Sequence, residues 1–429
     1  MHRRNALRLR ATIASSGRRL GRMLVRGLLL TLSIATIASG QQSPPQPVDD
    51  REVIRQLLVR ITVLEKRVNE LEAKQGPAAA APPATGVEAA APKPAPQEEH
   101  ADMSQGGPTL RIRGFGDVGL RGSNLRGDTT SFALGQLDLF VTSRLSDRVS
   151  FLSEIVFESG DNNAFGVDVE RLLLQFAPSD YFNLGIGRYH TGIGYYNTAY
   201  HHGTWFQTTT GRPFIFQFED DGGILPVHNV GVTATGRIPS RGLGLHYIAE
   251  VGNGRTSRSP LDEAVQNVID ENNGKAVNLG LFARPDQLPG FQAGFSFYHD
   301  GLKPDGLPRI GQSILAAHVV YVKPSFEWLN EALVIRHAVS GSPLVFHTPA
   351  FYTQISRRFG VVRPYFRYEY VNASGREPIF SDVGRRDGPS FGLRYDVSDF
   401  AAIKLQYNRT ARRGLRSING LELQLAFAF

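Results

Sequence analysis

The sequence predicts an all-β fold: a 16-stranded antiparallel transmembrane β-barrel over residues 109–429, preceded by a short α-helical coiled coil. Three observations predict it. Leu421, Leu423, Leu425, Phe427 and Phe429 alternate with Glu422, Gln424, Ala426 and Ala428, and a period of two puts one face in apolar surroundings and the other in polar ones. Similar alternating segments recur back to Thr109, and none of the apolar runs there reaches the length of a spanning helix. The connections also alternate, short then long, as the turns and loops at the two ends of a membrane barrel do.

Strands fall near 109–122, 131–145, 148–159, 166–177, 181–193, 229–238, 242–252 and 276–285. They continue near 291–300, 312–323, 328–340, 346–359, 361–373, 387–397, 401–411 and 419–429. The even count suits a single-chain bacterial barrel. Ser146-Asp147-Arg148, Pro178-Ser179-Asp180, Pro239-Ser240-Arg241, Pro324-Ser325 and Ser398-Asp399 are short turns. Between them lie longer polar connections such as Asn253–Lys275, Gly301–Gly311 and Asn372–Arg386. A soluble β-protein has no reason to sort its loops in this way.

Residues 1–40 read as a signal peptide. Eight arginines precede an apolar run from Gly27 to about Ser39, and no acidic residue interrupts them. Small residues Ala38-Ser39-Gly40 suit cleavage before Gln41, and Met23 is an alternative start. Removing these eight from the 47 basic residues leaves 39 against 40 acidic ones. The basic balance of the whole chain therefore gives no argument for nucleic acid as a partner. The chain has no cysteine, which excludes disulfides, thiolate metal sites, cysteine catalysis and a lipid anchor on cysteine.

Within residues 41–75, Ile54, Leu57, Ile61, Leu64, Val68 and Leu71 fill alternating a and d positions of a coiled coil. Arg60 and Arg67 fall at g, with Glu65 and Glu72 at e, so ion pairs between chains are available. Arg60–Glu65 and Arg67–Glu72 both resemble the Arg-apolar-x-x-apolar-Glu trimerisation motif, and a homotrimer is expected. Residues 76–108 are an Ala- and Pro-rich linker without apolar periodicity.

The third long connection, Gly194 to His228, has Arg212 and the acidic run Glu219-Asp220-Asp221. Long loops in a compact domain are usually functional. Alternation turns Arg111 and Arg113 on the first strand, Arg363 and Arg367, Arg394, and Lys404 toward the lumen. Closure of the barrel makes these one basic wall facing an acidic loop. His201-His202 and Asp220-Asp221-Gly222-Gly223 lack the ligand spacing of a known site, so neither a metal nor another cofactor is expected.

Sixteen strands, a long third loop and the terminal Phe429 resemble the bacterial outer-membrane porins. The signal, coiled coil and linker ahead of the barrel are similar to phosphate-selective porin O/P relatives and the DcaP-like trimeric porins. The resemblance implies an integral outer-membrane protein with its coiled coil in the periplasm. It also implies contact with outer-membrane lipid and lipopolysaccharide, and a terminal Phe429 read by the barrel-assembly machinery. The function implied is passive diffusion of small hydrophilic solutes, with a modest preference for anions. Phosphate selection is not expected, because acids are interleaved with the lumen arginines. The alternatives are a barrel enzyme of phospholipase or protease type, needing a Ser–His constellation at the external rim, and a structural tether gripping the envelope. His299, His318, His337 and His347 are scattered along the chain, and no serine stands in a nucleophile elbow.

Overall fold

The computed structural model describes residues 109–160, 164–200, 203–258 and 264–429. The expected signal peptide, coiled coil and linker, and the His201-His202 pair, lie outside the described residues.

Sixteen antiparallel strands close into one barrel, each paired with its sequence neighbours and the first with the last. They are β1 (Thr109–Ser123), β2 (Ser131–Arg144), β3 (Val149–Ser159), β4 (Phe165–Ser179), β5 (Phe182–His190), β6 (His228–Ile238), β7 (Leu245–Gly252) and β8 (Ala276–Ala283). The second half comprises β9 (Phe291–Leu302), β10 (Ile310–Lys323), β11 (Phe326–Val339), β12 (Val345–Arg357), β13 (Val362–Asn372), β14 (Arg385–Ser398), β15 (Ala401–Arg412) and β16 (Leu415–Ala428). In a closed barrel no strand edge is left with unpaired amides, which a hydrocarbon surround requires.

Alternation sorts the side chains. Leu110 and Ile112 of β1 and Phe132 of β2 are 60%, 61% and 80% exposed, all on the outer surface. Polar residues such as Asp138, Glu154 and Gln312 are buried on the inner one. This is the reverse of a soluble protein and fits a barrel whose solvent outside is lipid.

The closing seam depends on a glycine. Gly114 and Phe429 exchange two backbone hydrogen bonds of 2.8 and 2.9 Å. A Cβ on Gly114 would stand 2.2 Å from the Phe429 ring, so the ring lies flat where a side chain would be. At the far end, Arg413-Gly414 joins β15 to β16 as a tight hairpin with Gly414 at φ +71°. The last strand thus starts four residues before the position read from sequence, because polar Arg416 and Ser417 hide the alternation there.

Candidate functional site

The connection between β5 and β6, residues 191–227, folds into the barrel and divides its interior. Its local structure is irregular: a short helix α1 (Tyr196–Ala199) and two 3₁₀ turns, Thr204–Phe206 and Phe214–Phe216. A loop taken away from bulk water must find partners for its backbone groups. It finds them on the wall, and the sign of the wall residue follows the need of the loop.

Acids of the wall accept the loop's donors. Glu331 of β11 receives the N–H groups of Tyr195 (2.6 Å) and Tyr196 (2.9 Å), and the Tyr352 hydroxyl (2.7 Å). Glu250 of β7 accepts from Gly192 N–H at 3.0 Å, and Glu369 of β13 from Phe214 N–H at 2.5 Å. Glu327 takes the hydroxyls of Tyr200 (2.9 Å) and Thr208 (3.2 Å).

Bases of the wall supply its acceptors. The Lys404 Nζ donates to the carbonyl oxygens of Thr204 (2.5 Å) and Thr209 (2.9 Å). Arg394 donates to those of Trp205 (2.7 Å) and Gln207 (2.9 Å), and Arg367 to that of Gly211 (2.8 Å). Arg363, Arg394 and Lys404 form one row across β13, β14 and β15, with Gln424 next in line on β16. Arg363 itself reaches the Pro324 carbonyl at 2.6 Å, at the end of the barrel where the short turns lie. Arg111 and Arg113 stand apart from this row, exposed on the β1 overhang before Gly114.

One side of the loop is dry. Ile193, Tyr196, Ile215, Phe216, Ile224 and Leu225 pack against Ile314, Leu333 and Tyr352 of the wall and against Ile379, Phe380 and Val383 from the connection after β13. The other side borders a cavity of about 610 Å³ enclosed by β1–β3 and β13–β16. Asp117, Glu158, Asp221, Glu369 and Glu422 line it together with Arg121, Arg212, Arg367 and Arg386. Charges of both signs therefore face the open space.

The four loop residues singled out by sequence separate into two pairs. Arg212 stacks 4.3 Å over the Phe218 ring and donates to the Phe216 carbonyl at 2.6 Å; burial pushes its guanidinium below the usual range. Glu219 is 5% exposed and accepts from His228 N–H at 2.8 Å. Burial by itself would raise this carboxyl, but the charge and hydrogen bonds of His228 hold it below the usual range. Asp220 and Asp221 are exposed. Partial loss of water around the carboxyl group, then the charge of the neighbouring Asp221, push Asp220 up to about 6. One of its oxygens lies within 4.8 Å of an oxygen of Glu158 and of one of Asp168.

Sequence reasoning passed over the wall acids Glu327, Glu331 and Glu369 as loop anchors. Inward parity was the available signal, but which loop atom each one meets is set only by the path of the loop.

A closed barrel of sixteen antiparallel strands with an inward-folded third loop defines the class: the chain has the fold of the bacterial outer-membrane porins. No protein-family model and no characterised relative matches the sequence. Among solved structures it is similar to the outer membrane channel DcaP of Acinetobacter baumannii, with TM-score 0.54 and 10% identity over 76% of this chain and 99% of that one. It is similar also to an anion-selective porin from Comamonas acidovorans, with TM-score 0.52 and 12% identity over 75% and 100% of the two chains. A third is OmpF of Salmonella typhi, at TM-score 0.52 and 11% identity over 75% and 97%.

Proposed function

We propose that the protein is a trimeric outer-membrane porin through which small hydrophilic solutes diffuse passively, with a mild preference for anions. The observation behind this reading is the third loop pinned across the lumen, with one side packed dry and the other facing a charged cavity. A fixed constriction lined by charge sorts solutes by size and sign without chemistry. The anion preference rests on Arg111 and Arg113, which are exposed at the short-turn end and have no acidic partner among the described residues.

The outer wall supports the trimer. Outward Tyr and Trp residues occur on β7 (Tyr247), β10 (Tyr321), β11 (Trp328), β13 (Tyr368, Tyr370), β14 (Tyr395) and β15 (Tyr407). The outward faces of β16 and β1–β6 have none and are mostly aliphatic or Phe, as in Leu172, Leu174 and Phe176 of β4. Such aromatics mark a lipid interface. Their absence from one arc suits a wall covered by other protomers.

A second reading has one observation in its favour. The His299 Nδ1 lies 3.0 Å from the Ser313 Oγ on the outer wall near the external rim. This is the contact a lipid hydrolase needs, but no carboxylate among the described residues orients the imidazole.

The deciding experiment is planar-bilayer recording of the purified protein under a potassium chloride gradient. Conductance in steps of three with a reversal potential toward chloride supports the proposal. A potential toward potassium overturns the anion preference, and absence of conductance overturns the channel. Release of fatty acid from phospholipid, lost in Ser313→Ala, would establish the hydrolase instead.

A further inference from the structure

The outer wall of a barrel in lipid is apolar wherever nothing requires otherwise, yet a row across β9–β12 departs from that pattern. His299 of β9 pairs in register with Ser313 of β10, Ser313 with Arg336 of β11, and Arg336 with His347 of β12. All four point outward. Their neighbours in sequence, Gln312, Ile335 and His337, are buried inside the barrel, while His299, Arg336 and His347 are exposed. The row lies within about one turn-length of the long-loop ends of these strands: three residues before Leu302 and Val339, three after Ile310 and two after Val345.

A charge facing lipid costs roughly 2–4 kcal/mol at the midplane and close to nothing at the interface. The row is therefore at the height where headgroups begin. Arg336 has no acidic partner among the described residues, and its cross-strand neighbours are the Ser313 hydroxyl and the His347 imidazole, both uncharged or cationic and both able to donate. None of them carries a negative charge, so a counter-ion for Arg336 has to come from outside the row. Strands lie about 4.8 Å apart, so four donors in a row span roughly 14 Å. Just below the row, toward the membrane centre, Phe297, Leu315, Val334 and Pro349 offer an apolar track for acyl chains.

We propose that His299, Ser313, Arg336 and His347 form a site for the phosphorylated headgroup of an outer-leaflet lipid. The site rests on the outer-membrane placement argued above but not on the channel. Arg336 makes the principal contact as a fork to phosphate oxygens, and the flanking side chains donate to the remaining oxygens. At the same height on the other side of the barrel, Leu120 pairs with Phe132, and both are apolar. Lipid is thus held on the aromatic arc and not on the arc assigned to the protomer contact.

The test uses the full protein in detergent micelles with bisphosphorylated lipid A as probe, and native mass spectrometry as readout. The same lipid with its phosphates removed and inorganic phosphate at about 10 mM are the comparison arms. Expected is retention of lipid A by the wild type and a loss of about tenfold in affinity in Arg336→Gln/His299→Gln/His347→Gln. Arg336→Lys retains most of the binding. Dephosphorylated lipid binds the wild type as weakly as lipid A binds the triple variant, and inorganic phosphate does not compete. Equal affinity of wild type and triple variant for lipid A overturns the site, and competition by inorganic phosphate overturns the lipid as its source. Bilayer conductance of the triple variant equals that of the wild type, because the row is outside the lumen. If neither conducts while lipid binding differs, the channel falls and the lipid site stands.

Discussion

The ammonium of Lys404 lies 2.9 Å from the main-chain oxygen of Thr209, beneath the third loop and out of reach of the open cavity. A lumen cation here holds a loop in place. The same logic, bases to carbonyls and acids to amides, recurs at Arg394, Arg367, Glu331 and Glu369.

Lys404→Met leaves the buried Thr209 carbonyl without a donor, while that of Thr204 keeps only the Gln207 N–H. A buried acceptor stripped of its partner costs about 1–3 kcal/mol. The expected result is a loop that wanders: single-channel current becomes noisier, and the thermal unfolding midpoint falls, measured by the heat shift of mobility on denaturing gels.

Glu331→Ala strips two backbone amides and the Tyr352 hydroxyl of one shared acceptor. The destabilisation should exceed that of Lys404→Met, since three donors are orphaned rather than one acceptor. Glu331→Gln keeps an acceptor oxygen and falls between the two. Urea titration of the folded fraction in lipid vesicles ranks the three variants.

Asp220 gives the pore a pH dependence. Its carboxyl titrates at about 6 in the folded chain against 3.8 ordinarily. Because the folded pKa is raised, the folded chain binds more protons than the unfolded one between those values, and stability from this group falls as pH rises through that window. Charge follows the same titration: below about 6 the loop loses a negative charge beside Glu158 and Asp168. The chloride-to-potassium permeability ratio should rise as pH is lowered from 7.5 to 5. Asp220→Asn should flatten that step, and a step unchanged in the variant would assign it to another group.

Gly114→Leu places a side chain where the Phe429 ring now lies. The ring cannot move inward, because the barrel wall is behind it, so the closing pair of hydrogen bonds between Gly114 and Phe429 has to open. The fraction of heat-resistant folded barrel in the membrane should drop severalfold relative to wild type. Gly166→Ala on β4, where an added Cβ meets nothing within 4 Å, is the control.

The proposed protomer contact is open to cysteine cross-linking, since the chain has no cysteine of its own. Leu172 on β4 and Tyr395 on β14 are 49% and 45% exposed on opposite arcs of the outer wall. Cross-linking of Leu172→Cys with a short bifunctional reagent should give higher oligomers, and Tyr395→Cys should not. The reverse pattern would move the contact to the aromatic arc.

Much of this was legible in the chain. Strand count, polarity of each face and sorting of the turns follow from a period of two and from Pro, Ser, Asp and Gly at the turns, all local properties. Pairing of Arg363, Arg394 and Lys404 in one row follows from consecutive antiparallel hairpins and their short turns. The start of β16 was misplaced because Arg416 and Ser417 interrupt the pattern just past a hairpin whose glycine alone allows the tight turn.

The sequence by itself determined the barrel, because alternation is read one residue at a time and needs no distant partner. Only the tertiary structure decided what the lumen residues do. Whether an inward arginine meets water or a carbonyl depends on where 37 residues of loop, 191–227, cross the interior. That path is set by the joint satisfaction of the loop's buried amides and carbonyls by side chains on β7, β11, β13, β14 and β15, a long-range condition that leaves no period in the chain.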